Sequence, residues 1–585
     1  MRRNLFFALM PLLLTIPLLP SSAQDISQIA KSDPLIITGA VGTRNTYYHS
    51  TGSMGYASPL SNTIYANLNV SVYGFSMPFS FYYSNDNLDF NYPHLSFNVS
   101  PRYKNWQLYF GQSTMPFSSY VMTMPFNGVG LEYQGDRLRA GMFYGRLRKA
   151  VNDDPTDPLA RTPQYKRMAW GFKVGYGSTR NYIDLYLLRA YDQQKSLDPG
   201  WHEVLQPQDN LVVGLRGAVS VKRFLSFTAN ASTSVFTADK TSNRVEDSRL
   251  ERFDKVFTAR NTSMARFAGD ISANLSLKGF NAQLFYRMIQ PDYTSLGTYY
   301  LSNNYHSLGI NVGTILFRRL SLSASFSGQE DNLTNKQLYT TRGLVYNANA
   351  STRIGKHIGI NAGYNGYRQT QADGTARVND TTRVNRIMHS VYFMPSYSTY
   401  TDKLTHTVSL STNMTRNEDL NRFATGESDV TTYAAGLSYN IGVVPWDMDF
   451  TTSFSHQRSD GYQSRYTSDI ASLTTSRAFL NEKNLTAALT LSLCYNEIRY
   501  KMKSLSLGGD ISVGYTLNKV HVFGLMAGIS KYGDVNITRR ESGLDDTEIS
   551  VGLNYTYTFS LFALKRQAEQ GKKGLDVQWG KRARR

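Results

Sequence analysis

The sequence predicts an all-β chain whose strands close into a membrane-spanning antiparallel up-and-down barrel. Apolar and small polar residues alternate with period two along nearly the whole chain, the segments are too long for globular strands, and short and long connections take turns. A closed sheet pairs every backbone N–H and C=O inside hydrocarbon without leaving a free edge. Composition agrees. The 40 Tyr, 30 Phe and 44 Gly stand beside only 18% charged residues. The mean hydropathy of −0.37 does not argue against a membrane, because each strand is apolar on one side only.

The alternation is clearest near the C-terminus. Ile549, Val551, Leu553, Tyr555, Tyr557, Phe559 and Leu561 share one face; Ser550, Gly552, Asn554, Thr556, Thr558 and Ser560 share the other. The pattern recurs in Leu505–Leu517, Phe267–Leu277 and Met168–Tyr176. Helices would bring apolar residues back every three or four positions, and these segments do not. Many run for about 12 to 16 residues, against about five or six for a globular strand. Tight turns are expected at Val221-Lys222-Arg223, Lys278-Gly279-Phe280, Phe317-Arg318-Arg319, Gly355-Lys356, Tyr400 to Lys403, Val443-Val444-Pro445 and Asn518-Lys519. Longer polar loops are expected at 149–166, 193–209, 237–262, 372–384, 417–428 and 534–546. Counting on this scheme gives about 26 strands, within a range of about 22–28, with both termini periplasmic. Aromatic pairs near strand ends, such as Tyr82-Tyr83 and Tyr299-Tyr300, fit interfacial girdles.

Residues 1–23 read as a signal peptide. Arg2 and Arg3 precede the apolar run Leu5–Leu19, and Ser21-Ser22-Ala23 supplies the small residues for cleavage between Ala23 and Gln24. A short periplasmic segment, 24–34, would lead into a barrel over 35–562. A basic tail, 563–585, would follow in the periplasm. Lys572, Lys573, Lys581, Arg582, Arg584 and Arg585 of that tail are candidate contacts for a periplasmic partner or cell-wall material; the plainer reading is a solvated tail.

No metal-protease, nucleophile-elbow, phosphate-loop or dinucleotide motif is present, the His are scattered, and the single Cys494 excludes a disulfide framework. No cofactor, metal or catalytic residue is therefore expected. A net charge of +18 would suit nucleic acid, but an exported chain rarely meets it; anionic lipids, lipopolysaccharide or anionic solutes are the better match. Alternation turns Lys173, Arg216, Arg266, Arg287 and Arg353 inward, with Asp184, Asp270 and Asp510. Such groups either bias a pore toward anions or pair to brace the wall and hold a plug. Three copies of Met-Pro-Phe interrupt the pattern, at Met77-Pro78-Phe79, Met115-Pro116-Phe117 and Met124-Pro125-Phe126, because proline cannot donate a ladder hydrogen bond. The stretch Ser113–Asn127 holds two of them. It reads first as a compact external loop, and second as a constriction folded into the lumen.

Taken together, these features resemble the large β-barrels of the Gram-negative outer membrane. The resemblance is to a class. Strands beginning near Leu35 leave no room for the globular plug of TonB-dependent transporters, and no POTRA repeats, passenger domain or paired-Cys N-terminal domain is present. It implies a solute channel or transporter whose lumen is gated or filled by loops. The alternative is the barrel of a secretion or assembly complex, or a surface scaffold, that holds or passes a partner protein; an enzyme ranks third. It also implies insertion by the outer-membrane assembly machinery, and a barrel this wide would need its lumen filled by loops or by a partner.

Overall fold

The computed structural model describes residues 35–51, 59–73, 75–85, 95–152, 163–245, 256–480, 482–499, 501–536, 541–542, 546–566 and 575–579. Within them the chain is a closed, antiparallel, 26-stranded β-barrel. Successive strands pair in register, and the first, Leu35–Ser50, closes the cylinder on the last, Asp546–Arg566, from Leu35↔Leu564 to Ser50↔Glu548. The strands from Tyr339–Ile354 onward run 14 to 21 residues, apart from the two-residue Glu541–Ser542 and the five-residue Leu575–Trp579. Those before Phe126 include shorter ones. There Pro78 stands within Phe75–Ser84, and its neighbour breaks around Pro101 into Leu95–Val99 and Arg102–Tyr103.

Alternation sets the two faces as expected. Leu489, Leu491 and Leu493 are exposed on the outside, while Thr490, Ser492 and Cys494 line the inside. Aromatics gather at the rim of tight turns. Phe317 and Trp446 are exposed, and His521 stacks on Tyr555 and Tyr557 with ring centroids 6.1 and 4.6 Å apart. Amphipathic rings favour this depth because one end is apolar and the other wet.

Two expectations need correction. The connections do not alternate to the end of the chain: on the long-loop rim, Met448–Gly461 joins Ser464–Phe479, and Leu485–Ile498 joins Met502–Leu517, through turns as tight as those opposite. Nothing in strand alternation fixes loop length. The barrel also does not stop at residue 562. The last strand continues to Arg566, and Leu575–Trp579 folds back on it from Phe562↔Trp579 to Arg566↔Leu575. An end strand offers unpaired backbone groups, and a following segment satisfies them. Residues 1–34, the cleavage site Ala23-Gln24, and Lys572, Lys573, Lys581, Arg582, Arg584 and Arg585 lie outside the described residues.

Candidate functional site

Residues 114–125 do not form an external loop. They fold into the barrel, where Met115, Tyr120, Val121 and Met122 are at most 4% exposed. Pro116 and Pro125 lack the N–H needed to extend either flanking strand, Trp106–Ser113 or Phe126–Gln134, so the segment leaves the wall. Inward-facing glycines receive it. A Cβ on Gly141 would stand 3.1 Å from the Met115 sulfur, one on Gly171 3.0 Å from Phe117, and one on Gly214 2.6 Å from Val121. Phe126 stacks on Phe143 at 4.5 Å, and Phe117 lies 5.7 Å from Phe143 and 5.6 Å from Tyr186. Burial against these rings and the missing side chains opposite them hold the segment in place.

Polar ties complete the attachment. Lys173, on the inner face of Lys166–Gly177, donates to the Pro116 carbonyl at 3.1 Å and pairs with Glu132 at 2.6 Å; the two side chains are 10% and 2% exposed. Tyr109 and Gln134 also donate to that carboxylate. A buried charge is costly unless paired and hydrogen-bonded, and Glu132 is both. A second segment, 290–304, joins the first. The amides of Thr123 and Met124 donate to the Gly297 carbonyl at 3.0 Å each, the Tyr293 hydroxyl to the Tyr120 carbonyl at 2.9 Å, and the Ser295 hydroxyl to the Val121 carbonyl at 2.6 Å. Asn210 accepts from the Leu296 amide at 3.0 Å.

Beside these segments runs a row of charge. Strand register aligns Asp184, Arg216, Asn230, Asp270 and Arg287 directly across neighbouring strands. Arg139 adds a bond to Asp184 at 2.8 Å. The infolded segment grips the row twice: the Ser118 hydroxyl donates to Asn230 at 2.8 Å and the Tyr120 hydroxyl to Asp270 at 2.6 Å. Burial first, and then the carboxylate, push the Tyr120 phenol well above its ordinary value, so it keeps the proton that it donates. Arg216 and Arg287 have exposed side chains and no ion-pair partner among the described residues.

Four of the inward charges read from the sequence thus meet in one row, namely Asp184, Arg216, Asp270 and Arg287. Lys173 anchors the infolded segment. Arg266 anchors the second segment through the Pro291 carbonyl at 2.9 Å and Asp292 at 3.8 Å. Arg353 stands apart beside the tight turn at 355–357, and Asp510 faces inward on the far side, paired in register with Thr490 and Gly528. Of the Met-Pro-Phe residues, Met115, Phe117 and Phe126 make the packed core, Met124 and Pro125 are half-buried, and Pro116 lends its carbonyl to Lys173. Sequence reasoning missed Glu132, Arg139, Asn210, Asn230 and the segment 290–304. Glu132 lies between outward Leu131 and Tyr133, and Arg139 between Leu138 and Ala140, so alternation marks both as inward. Nothing local marks 290–304, whose partners lie far away in sequence.

Among the described residues no group of three or more His, Cys, Asp or Glu is placed to hold a metal ion, and no helix is long and apolar enough to cross a membrane. An antiparallel cylinder with an apolar exterior and a polar interior is the architecture of an integral protein of the Gram-negative outer membrane.

No protein-family model matches the sequence, and no curated protein matches it either. Solved structures do share a likeness. Acinetobacter baumannii OccAB2 has 11% identity and a TM-score of 0.29, covering 67% of this chain and 98% of that one. A. baumannii OccAB3 has 11% identity and a TM-score of 0.28, covering 89% and 99%. Pseudomonas aeruginosa OpdK, solved with vanillate, has 10% identity and a TM-score of 0.30, covering 64% and 98%.

Proposed function

We propose that the protein is a non-enzymatic outer-membrane channel for solutes, narrowed from one side by residues 114–125 and 290–304, with its long-loop rim outside the cell. The observation that carries this reading is the one-sided lining of the lumen. Both infolded segments are bound to the arc between Trp106 and Ile289, whereas beyond Asn304 the only buried side chains among the described residues are Asn332, Thr340, Val378 and Ser468. A polar inner wall without cover suits the passage of water-soluble cargo. On this reading Arg216 and Arg287 face the passage and favour anions. Lipopolysaccharide and phospholipid surround the barrel, and the outer-membrane assembly machinery inserts it. The same uncovered wall favours a second reading, in which a partner protein occupies the lumen or passes through it.

Conductance of the purified full chain in planar bilayers separates the two. The channel reading expects stable conductance, and a several-fold rise when residues 116–124 are replaced by a short Gly-Ser link. An unchanged conductance would mean that the segment does not narrow the passage. Silence from both proteins would overturn the channel and leave the partner reading.

A further inference from the structure

The tight-turn rim carries charge differently from the loop rim. Each connection on it from Lys104 to Lys403 holds a lysine or arginine, and the pattern resumes after Trp446 with Lys483 and Lys519. Two turns carry doublets, Lys222-Arg223 and Arg318-Arg319, and all four of these side chains are exposed. Asp136, Asp402, Asp447 and Glu482 are the carboxylates in these turns, and among the described residues only the Lys483–Asp447 contact forms an ion pair there. On the loop rim, by contrast, several arginines are taken up in pairs: Arg342 with Glu330 at 3.0 Å, Arg383 and Arg422 with Asp380 at 3.1 and 3.2 Å, and Arg458 with Asp460 at 2.8 Å.

The free cations sit at a defined depth. Phe224 follows Arg223 and Phe317 precedes Arg318, both exposed at the turn, as aromatics at a membrane interface are. Lys222 lies over the Phe224 ring at 5.8 Å, Lys104 over Tyr103 at 5.5 Å, and Arg477 over Phe479 at 4.9 Å. Phe317 and Arg318 also hold φ of 53° and 60°, a left-handed hairpin geometry that Asn or Gly would adopt with less strain. Their side chains, not the turn's conformational preference, account for that choice.

We propose that this rim is a ring-shaped binding site for the phosphates of anionic phospholipids in the adjoining leaflet. Aromatics anchor the wall at the headgroup level, and unpaired lysine and arginine stand beside them around the circumference, where each can reach a phosphate. The leaflet assignment rests on the orientation proposed above; the ring itself does not.

Native mass spectrometry of the full chain tests the ring without any measurement of conductance. Detergent-solubilised protein is offered phosphatidylglycerol or phosphatidylcholine, and retained lipid is counted. The wild type is expected to retain phosphatidylglycerol in several-fold preference, and the preference is expected to weaken as salt is raised. A variant with K222Q, R223Q, R318Q and R319Q loses most of it, whereas K336Q on the loop rim keeps it. Equal retention of the two lipids, or a preference indifferent to salt, overturns the proposal in the unaltered protein, whether or not the quadruple variant folds. Full preference in a folded quadruple variant, or its loss in K336Q, overturns the place assigned to it.

Discussion

The wall from Trp106 to Ile289 and the wall from Tyr305 to Ser560 follow the same alternation, but they treat their inner faces in opposite ways. On the first, glycines alternate with large or charged side chains, and the gaps are filled by chain from elsewhere: Gly141 by Met115, Gly171 by Phe117, Gly214 by Val121. On the second, polar side chains satisfy one another across strands. Ser453 meets Ser472 at 2.7 Å, Asn440 meets Thr451 at 2.8 Å, Asn347 meets Ser325 at 3.0 Å and Thr474 meets Thr490 at 3.1 Å. A barrel wall can therefore be completed by infolded chain or by its own polar ladder. The choice depends on whether the inward positions leave space or fill it. If so, substitutions matched by type should matter on the first arc and not on the second.

The largest contrast is expected at the buried ion pair. Glu132→Gln leaves Lys173 charged and buried, which should cost about 3–5 kcal/mol, whereas replacing both partners together by Leu and Met should return much of the loss. On the open arc, Asp510→Asn should change stability by no more than about 0.5 kcal/mol, since the exposed carboxylate has no ion-pair partner among the described residues. Urea unfolding in detergent measures all three. A Glu132→Gln protein as stable as the wild type would mean that the infolded segment does not depend on this pair.

A smaller contrast concerns space alone. A Cβ at Gly214 would stand 2.6 Å from Val121 and 2.8 Å from Ser232, so Gly214→Ala must displace the infolded segment, at about 1–3 kcal/mol. At Gly524 the nearest atom is 3.5 Å away, on Asn554, so Gly524→Ala should be neutral or stabilise by up to about 1 kcal/mol. Hydrogen exchange at the Thr123 and Met124 amides, which bond to Gly297, would report displacement separately from global unfolding. Equal protection in the two variants would undo the distinction between the arcs.

Alternation made the barrel legible because lipid on one side and water on the other constrain every second residue independently. That is why the strand count and the inward placement of Asp184, Arg216, Asp270 and Arg287 could be read from the chain, whereas their alignment in one row needed the register. The infolding of 114–125 was less legible. Met-Pro-Phe marks where the ladder must stop, and that local signal is the same for a segment that leaves the wall outward or inward. The direction is decided by Gly141, Gly171 and Gly214, on strands that the sequence does not place opposite Met115, Phe117 and Val121. The partnership with 290–304 is less legible still, since backbone carbonyls at Tyr120, Val121 and Gly297 do much of the bonding and carry no side-chain signature.

The smallest effect expected is also the one that separates two roles for the row of charge. If Arg216 and Arg287 only brace the wall, Arg216→Gln with Arg287→Gln lowers stability and leaves ion preference alone. If they face the passage, the reversal potential under a potassium chloride gradient moves toward cation preference while the unfolding midpoint stays nearly fixed. The structure supplies an internal standard in Arg139, which already spends its charge on Asp184 at 2.8 Å, with 27% and 16% of the two side chains exposed. Arg139→Gln should therefore weaken the fold more and shift the potential through the freed Asp184, again toward cations. The neutral pair Arg139→Gln with Asp184→Asn should restore the potential, and the Arg216 and Arg287 variant should not be rescued by Asp510→Asn on the open arc. A potential that follows net charge wherever it is removed, with Asp510→Asn offsetting the arginines, would mean that the passage senses the whole barrel and that the row has no special place in it.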